Sequence, residues 1–243
     1  MLNSPRRGLV LAAAALLIVP AACQPSPPEK ARSALESPES RMRYLALGDS
    51  YTIGEGVAAG SRWPSLLAAE VEAAGCGRLK VTVVARTGWN TDELMSALAR
   101  ERLDPPYDLV TLLIGVNDQY RGRGLDDFAV GFGRALSESI RLAGGAPGRV
   151  VVLSIPDWAV TPFGKGAGAS RVSQEIDDFN AVVAAAARAA GVRFVDVTAQ
   201  SRLAAAQEGL LAPDGLHYSE AMYRRWAGSA RPEACAALGR SVP

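Results

Sequence analysis

From residue 42 onward the chain alternates between short apolar runs and longer stretches with helical spacing. The apolar runs are Arg43–Leu47, Lys80–Ala85, Asp108–Ile114, Arg149–Ile155 and Val192–Val197. Each is nearly continuous rather than alternating, the pattern of parallel strands covered on both faces. Between them the period changes to that of helices. Trp63, Leu66, Leu67, Val71 and Ala74 share one face, with Pro64 near the start where a proline is tolerated. Asn90 or Thr91 can cap a helix whose first turn carries Asp92 and Glu93. Phe128, Phe132, Leu136 and Ile140 recur every four residues, and Ile176, Phe179, Val182, Val183 and Ala186 form a further stripe. A last helix is expected from about Ser219, with Met222 and Trp226 facing inward. Strand–helix alternation of this kind predicts a three-layer α/β/α sandwich around a five-stranded parallel sheet with right-handed crossovers.

The first 41 residues do not fit that rhythm. Arg6 and Arg7 precede an apolar run from Leu9 to Ala22, too short to span a bilayer as a mature helix. Residues 1–22 therefore read as an export signal. Its end, "VPAAC", resembles a bacterial lipoprotein signal in which Cys23 is lipidated and becomes the new N-terminus; cleavage near Ala22 by an ordinary secretory route is the alternative. Residues 23–41, rich in Pro, Ser and charge, read as a tether, and residues 42–243 as one domain. The expected location is exported, either periplasmic or anchored to a membrane only through Cys23.

Composition narrows the chemistry. Of 243 residues 49% are hydrophobic, enough for one sizeable core, and a formal net charge of +1 gives no footprint for nucleic acid. The single histidine, His217, must carry any imidazole chemistry, which excludes multi-histidine metal sites. Three cysteines without a CxxC pair argue against a cysteine zinc site. If Cys23 carries lipid, Cys76 and Cys235 remain as an even pair in an oxidising compartment. They are expected either to form a disulfide, worth roughly 2–4 kcal/mol, or to stay as two separate buried thiols.

Ligands of open parallel sheets bind beyond the carboxyl ends of the strands. There the chain carries Gly48-Asp49-Ser50, then Arg86 to Asn90, then Gly115 to Asp118, then Pro156-Asp157-Trp158, and finally "APDGLHYS" with Asp214 and His217. A hydroxyl, small backbone donors, an amide and an Asp–His pair converge on one rim. Acyl transfer needs those types: a serine is a weak nucleophile until an imidazole takes its proton, and the imidazole needs a partner on its other nitrogen. The tetrahedral oxyanion needs preorganised N–H donors, which Ser50, Gly88 and Asn117 could supply. Gly54, Gly56 and Gly60 also follow a strand, but their spacing and the Ala85–Arg86 end of the second strand fail the dinucleotide fingerprint.

"GDSYTIG" with Ser50, the glycine of "RTGWNT", "GVND" with Asn117 and "DGLH" with Asp214 and His217 together resemble the SGNH, or GDSL, hydrolases. The resemblance covers residues 44 to about 230. It implies a flavodoxin-like sheet of order 2-1-3-4-5. It also implies Ser50 as nucleophile, His217 as base and Asp214 as its orienting partner, with Ser50, Gly88 and Asn117 as the oxyanion hole. No cofactor and no metal are expected. The implied activity is hydrolysis of a carboxylic ester, short-chain acyl or acetyl, on a small-molecule or carbohydrate substrate. Lysophospholipase, thioesterase and acyltransferase activities occur in the same family. A surface lipoprotein that binds glycans without catalysis is the alternative from another class. Trp89, Tyr120, Asp157 and Trp158 are candidate substrate-binding residues near the rim, whereas Asp49 and Asp118 are expected to brace turns.

Overall fold

The computed structural model describes residues 42–166 and 168–240. The export signal, the tether and the lipidation site at Cys23 lie outside the described residues. Five strands, β1 (Met42–Gly48), β2 (Leu79–Ala85), β3 (Leu109–Leu113), β4 (Val150–Leu153) and β5 (Arg193–Val195), form one sheet. Its order is β2-β1-β3-β4-β5 and every pairing is parallel. This is the flavodoxin-like order that the resemblance implies.

Burial explains why the strands read as unbroken apolar runs. Every residue of the inner strands β3 and β4 is buried, whereas the edge strands β2 and β5 are only half-buried. Two helices, α2 (Trp63–Ala73) and α8 (Glu220–Ala237), pack together on one face of the sheet. On the other lie α3 (Thr91–Leu98), α5 (Leu125–Leu142) and α6 (Ala169–Ala189). The two stripes meet there: Phe128 stacks on Phe179 with ring centroids 4.4 Å apart, and Phe132 lies beside Phe128. Under α8 a second aromatic group forms from Tyr51, Tyr218, Tyr223 and Trp226.

Three one-turn helices sit directly after strand ends: α1 (Ser50–Ile53), α4 (Val116–Tyr120) and α7 (Thr198–Ser201). They are too short for a periodic signal, yet α1 and α4 place three candidate site residues, Ser50, Asn117 and Tyr120. At the opposite end of the sheet, Cys76 and Cys235 are joined by a disulfide, with Cα atoms 5.5 Å apart. Cys76 lies just before β2 and Cys235 in the last turns of α8, so the bridge ties α2's exit to the C-terminal helix. Both cysteines are buried.

Candidate active site

The bend after β1 exists because nothing larger than glycine fits at its start. A Cβ on Gly48 would stand 2.3 Å from the Leu113 carbonyl oxygen and closer still to the Thr52 hydroxyl. Asp49 then caps α1, its Oδ1 accepting from the Tyr51 N–H at 3.0 Å. Ser50 is the first residue of α1, its main chain held by Gly54 and Glu55 N–H groups donating to its carbonyl. The serine is thereby presented at the carboxyl end of β1, an inner strand of the sheet. Asp49 is fully buried, and among the described residues its Oδ2 has no hydrogen-bond partner. Burial pushes its carboxyl up to about 8.

The histidine reaches the same rim from a loop that closes on itself. Leu211 and Tyr218 form an antiparallel bridge, and the Ala212 N–H donates to the His217 carbonyl at 2.8 Å. Within it Asp214 makes an Asx-type turn: its Oδ1 accepts from the N–H groups of Leu216 and His217, both at 2.9 Å. Its other oxygen meets His217 Nδ1 at 2.6 Å. Burial pushes the Asp214 carboxyl up, but the His217 ring and the two backbone donors outweigh it and hold the group below the ordinary carboxylate range. The aspartate is thus ionised and fixed against one ring nitrogen, leaving Nε2 for other work. The Tyr51 ring lies edge-on to the imidazole, centroids 5.6 Å apart.

Asn117 comes from the turn after β3. That turn needs Gly115, whose φ of +131° and crowding by Phe128 and Ile155 within 2.8 Å of a would-be Cβ exclude a side chain. Asn117 Nδ2 donates one proton to the Trp89 carbonyl at 2.9 Å, which leaves its second N–H free. Arg121, one turn further along, donates to the Gly88 carbonyl at 2.7 Å and to Glu93 Oε2 at 2.9 Å. Glu93 also accepts from the Asn90 N–H, completing the α3 capping box. The Gly88–Asn90 segment is therefore pinned from two neighbouring elements. Asp118, buried beneath, accepts from Thr91 N–H and hydroxyl and pairs with Arg123.

Ser50, Gly88, Asn117 and His217 line one cavity of about 190 Å³, together with the rings of Tyr120, Trp158 and Phe163. Tyr120 and Phe163 are more than half exposed, and the three rings contact one another. Two of the candidate substrate-binding residues thus line the cavity and two do not. Trp89 contributes its carbonyl to Asn117 while its side chain packs on the core. Asp157 is buried, accepting from the Ser173 hydroxyl and pairing with Arg202 at 2.9 Å, so it braces the turn that carries Trp158. Phe163 went unrecognised because the glycine-rich stretch around it has no period to read. Arg121 has no motif signal either.

The match to known proteins fits this geometry. Residues 46–225 match the family model described as the GDSL-like lipase/acylhydrolase family. The chain belongs to that family. Among solved structures, the acetylxylan esterase Axe2 from Geobacillus stearothermophilus superposes with a TM-score of 0.62 at 20% identity, covering 79% of this chain and 94% of that one. The lipase/acylhydrolase from Enterococcus faecalis gives the same score and identity over 80% and 95% of the two chains. TesA gives 0.60 at 19% identity over 79% and 97%. No curated protein sequence matches the chain. As a member of the GDSL-like family it is an ester hydrolase or acylhydrolase by class.

Proposed function

We propose that this protein is an exported serine esterase that cleaves short-chain acyl esters through an acyl-enzyme on Ser50. The observation that carries the reading is the 2.6 Å contact between Asp214 Oδ2 and His217 Nδ1, on a cavity that His217 shares with Ser50. In this reading the Ser50 Oγ attacks the ester carbonyl while His217 Nε2 accepts its proton. Asp214 keeps the imidazole in the tautomer that presents a bare Nε2 and stabilises the imidazolium. The oxyanion is met by the Ser50 and Gly88 N–H groups and the second Nδ2 proton of Asn117, each such donor being worth about 2.7–4 kcal/mol of barrier. Collapse expels the alcohol with the proton from His217, and water then releases the acid by the same steps in reverse order.

A volume near 190 Å³ is below the ~300–1,000 Å³ usual for drug-sized ligands, which favours an acetyl or similarly short acyl group. Ser50→Ala should abolish hydrolysis of 4-nitrophenyl acetate and covalent labelling by a fluorophosphonate. A variant that retained wild-type turnover would end the assignment. Preference for octanoyl over acetyl esters would instead overturn only the short-chain part. Export, with or without lipid on Cys23, is supported by the 22-residue leading segment and by the Cys76–Cys235 bridge. Mass determination of the mature N-terminus distinguishes a diacylglyceryl cysteine from an unmodified end.

A further inference from the structure

Asp49 stands between β1 and the Ser50 turn, and the proposed reaction does not use it. Its carbonyl accepts from the N–H groups of Thr52 and Ile53, and its Oδ1 accepts from the Tyr51 N–H. The three residues that share α1 with Ser50 thus all bond to this one aspartate. Tyr51 in turn sets its ring edge-on to the His217 imidazole, centroids 5.6 Å apart. Asp49 therefore bears on both ends of the proton transfer, directly on the serine's turn and through one ring on the histidine.

Its carboxyl is fully buried. Among the described residues Oδ2 has no hydrogen-bond partner, and no arginine or lysine pairs with either oxygen. The Thr52 hydroxyl, in the same turn, is likewise buried and unpartnered. The charged group that acts on Asp49 is Asp118 of α4, of like sign, itself engaged by Thr91 and Arg123. Two phenols feel its charge, Tyr51 of α1 and Tyr223 of α8; burial holds both well above the ordinary tyrosine range, so neither is ionised beside it. Backbone N–H groups favour the carboxylate, as at any helix start, but burial is the larger effect and Asp118 adds to it. An anion here would be answered by backbone donors alone, and water reaches it only if α1 moves off the sheet.

We propose that Asp49 is a positioning residue that works as the neutral acid: its protonated carboxyl holds α1 in place, keeping the Ser50 hydroxyl in reach of His217, and loss of that proton releases the turn. The inference rests on the serine-esterase reading and gives the reaction an alkaline limit that belongs to neither Ser50 nor His217.

The experiment measures kcat and KM for 4-nitrophenyl acetate, corrected for spontaneous hydrolysis, and the rate of Ser50 labelling by a fluorophosphonate, across the neutral and alkaline range. Burial pushes the Asp49 carboxyl up to about 8, so wild-type kcat/KM at about pH 9.5 should be about thirtyfold below that at about pH 7, lost through kcat. Asp49→Asn keeps an acceptor for the Tyr51 N–H and has no proton to lose. Its two values, whatever their level, should agree within about twofold. Asp118→Asn removes the like charge and should move the alkaline limb to lower pH. A wild-type profile flat to about pH 9.5, a limb that persists in Asp49→Asn, or one that Asp118→Asn moves upward overturns the inference. So does near-UV circular dichroism that disappears in step with activity, since the limb is then global unfolding. The wild-type and Asp118→Asn arms decide the question even where Asp49→Asn does not fold. Failure of the esterase reading has a different signature, absence of ester turnover and of Ser50 labelling at every pH.

Discussion

Breaking the Cys76–Cys235 bridge should lower stability substantially and leave catalysis untouched. The bridged residues are 159 apart in sequence, and closing a loop of that length removes denatured-chain entropy worth roughly 5 kcal/mol at 25 °C, an upper figure for real disulfides. For a domain of this size each kcal/mol moves Tm by about 2–4 °C, so the expected fall is ~10–20 °C. The perturbation is best made twice. Reduction of the wild type keeps both sulfur atoms in their buried sites and removes only the bond. The Cys76→Ala/Cys235→Ala variant removes the bond permanently but adds a small packing loss, so it should melt slightly lower. Calorimetry of oxidised, reduced and double-variant protein measures the shifts. Esterase assays well below the transitions should give equal kcat/KM for all three, because the bridge sits at the amino ends of the strands and the site at the carboxyl ends. A fall of under about 3 °C in both bridge-free forms would refute the entropic reasoning. A loss of activity in the folded reduced protein would refute the separation of bridge and site.

Three further outcomes are expected. Asp214→Asn should fold normally yet lose about 10³–10⁴ in kcat on 4-nitrophenyl acetate, because an amide does not fix the imidazole tautomer; a loss below tenfold would remove Asp214 from the machinery. Asp49 remains protonated in the folded protein up to about pH 8 but ionises in the unfolded chain near its ordinary 3.8, so the contribution of this one group to stability is fully present below about pH 4 and is lost as pH rises toward 8. Asp49→Asn keeps the acceptor for the Tyr51 N–H and cannot ionise, so its Tm advantage over wild type should grow from pH 4 to pH 8; a pH-independent difference would contradict this. Arg121→Gln frees the Gly88 carbonyl and should lower kcat about tenfold with KM nearly unchanged, the pattern of a loosened oxyanion donor; a change confined to KM would point to substrate contact instead.

Much of the framework was readable because inner strands of a parallel sheet are covered on both sides. The five buried residues of β3 and the four of β4 announce themselves as apolar runs, and the stripes of α5 and α6 announce their faces. The sheet order was not readable from periodicity, since no local pattern says which strand neighbours which; it followed from the resemblance. The helix from Ser219 was anticipated, but Pro232 inside it was not. The candidate site residues carried motif signals, and their surroundings did not. Asp157 follows a strand as a ligand-binding residue would, yet Arg202, 45 residues away, and Ser173 turn its carboxylate inward. Trp89 is similar: a ring next to Gly88 in sequence packs on the core, and only its carbonyl meets a candidate site residue, Asn117. Side-chain direction at a rim is decided by distant partners, which a one-dimensional pattern does not contain.

The three-residue spacing of Asp214 and His217 has a consequence for how the domain tolerates motion and change. Because the aspartate's Oδ1 holds the turn's own backbone and its Oδ2 holds the ring, the two residues move as one body. A shift of the whole loop alters one distance, from imidazole to serine, rather than two independent ones. The placement of the imidazole relative to Ser50 is then set by how that loop sits against the end of β1. Substitutions in α8 or β5 that displace the loop as a unit would detune the site by degrees, whereas a single change inside the turn would dismantle it at once.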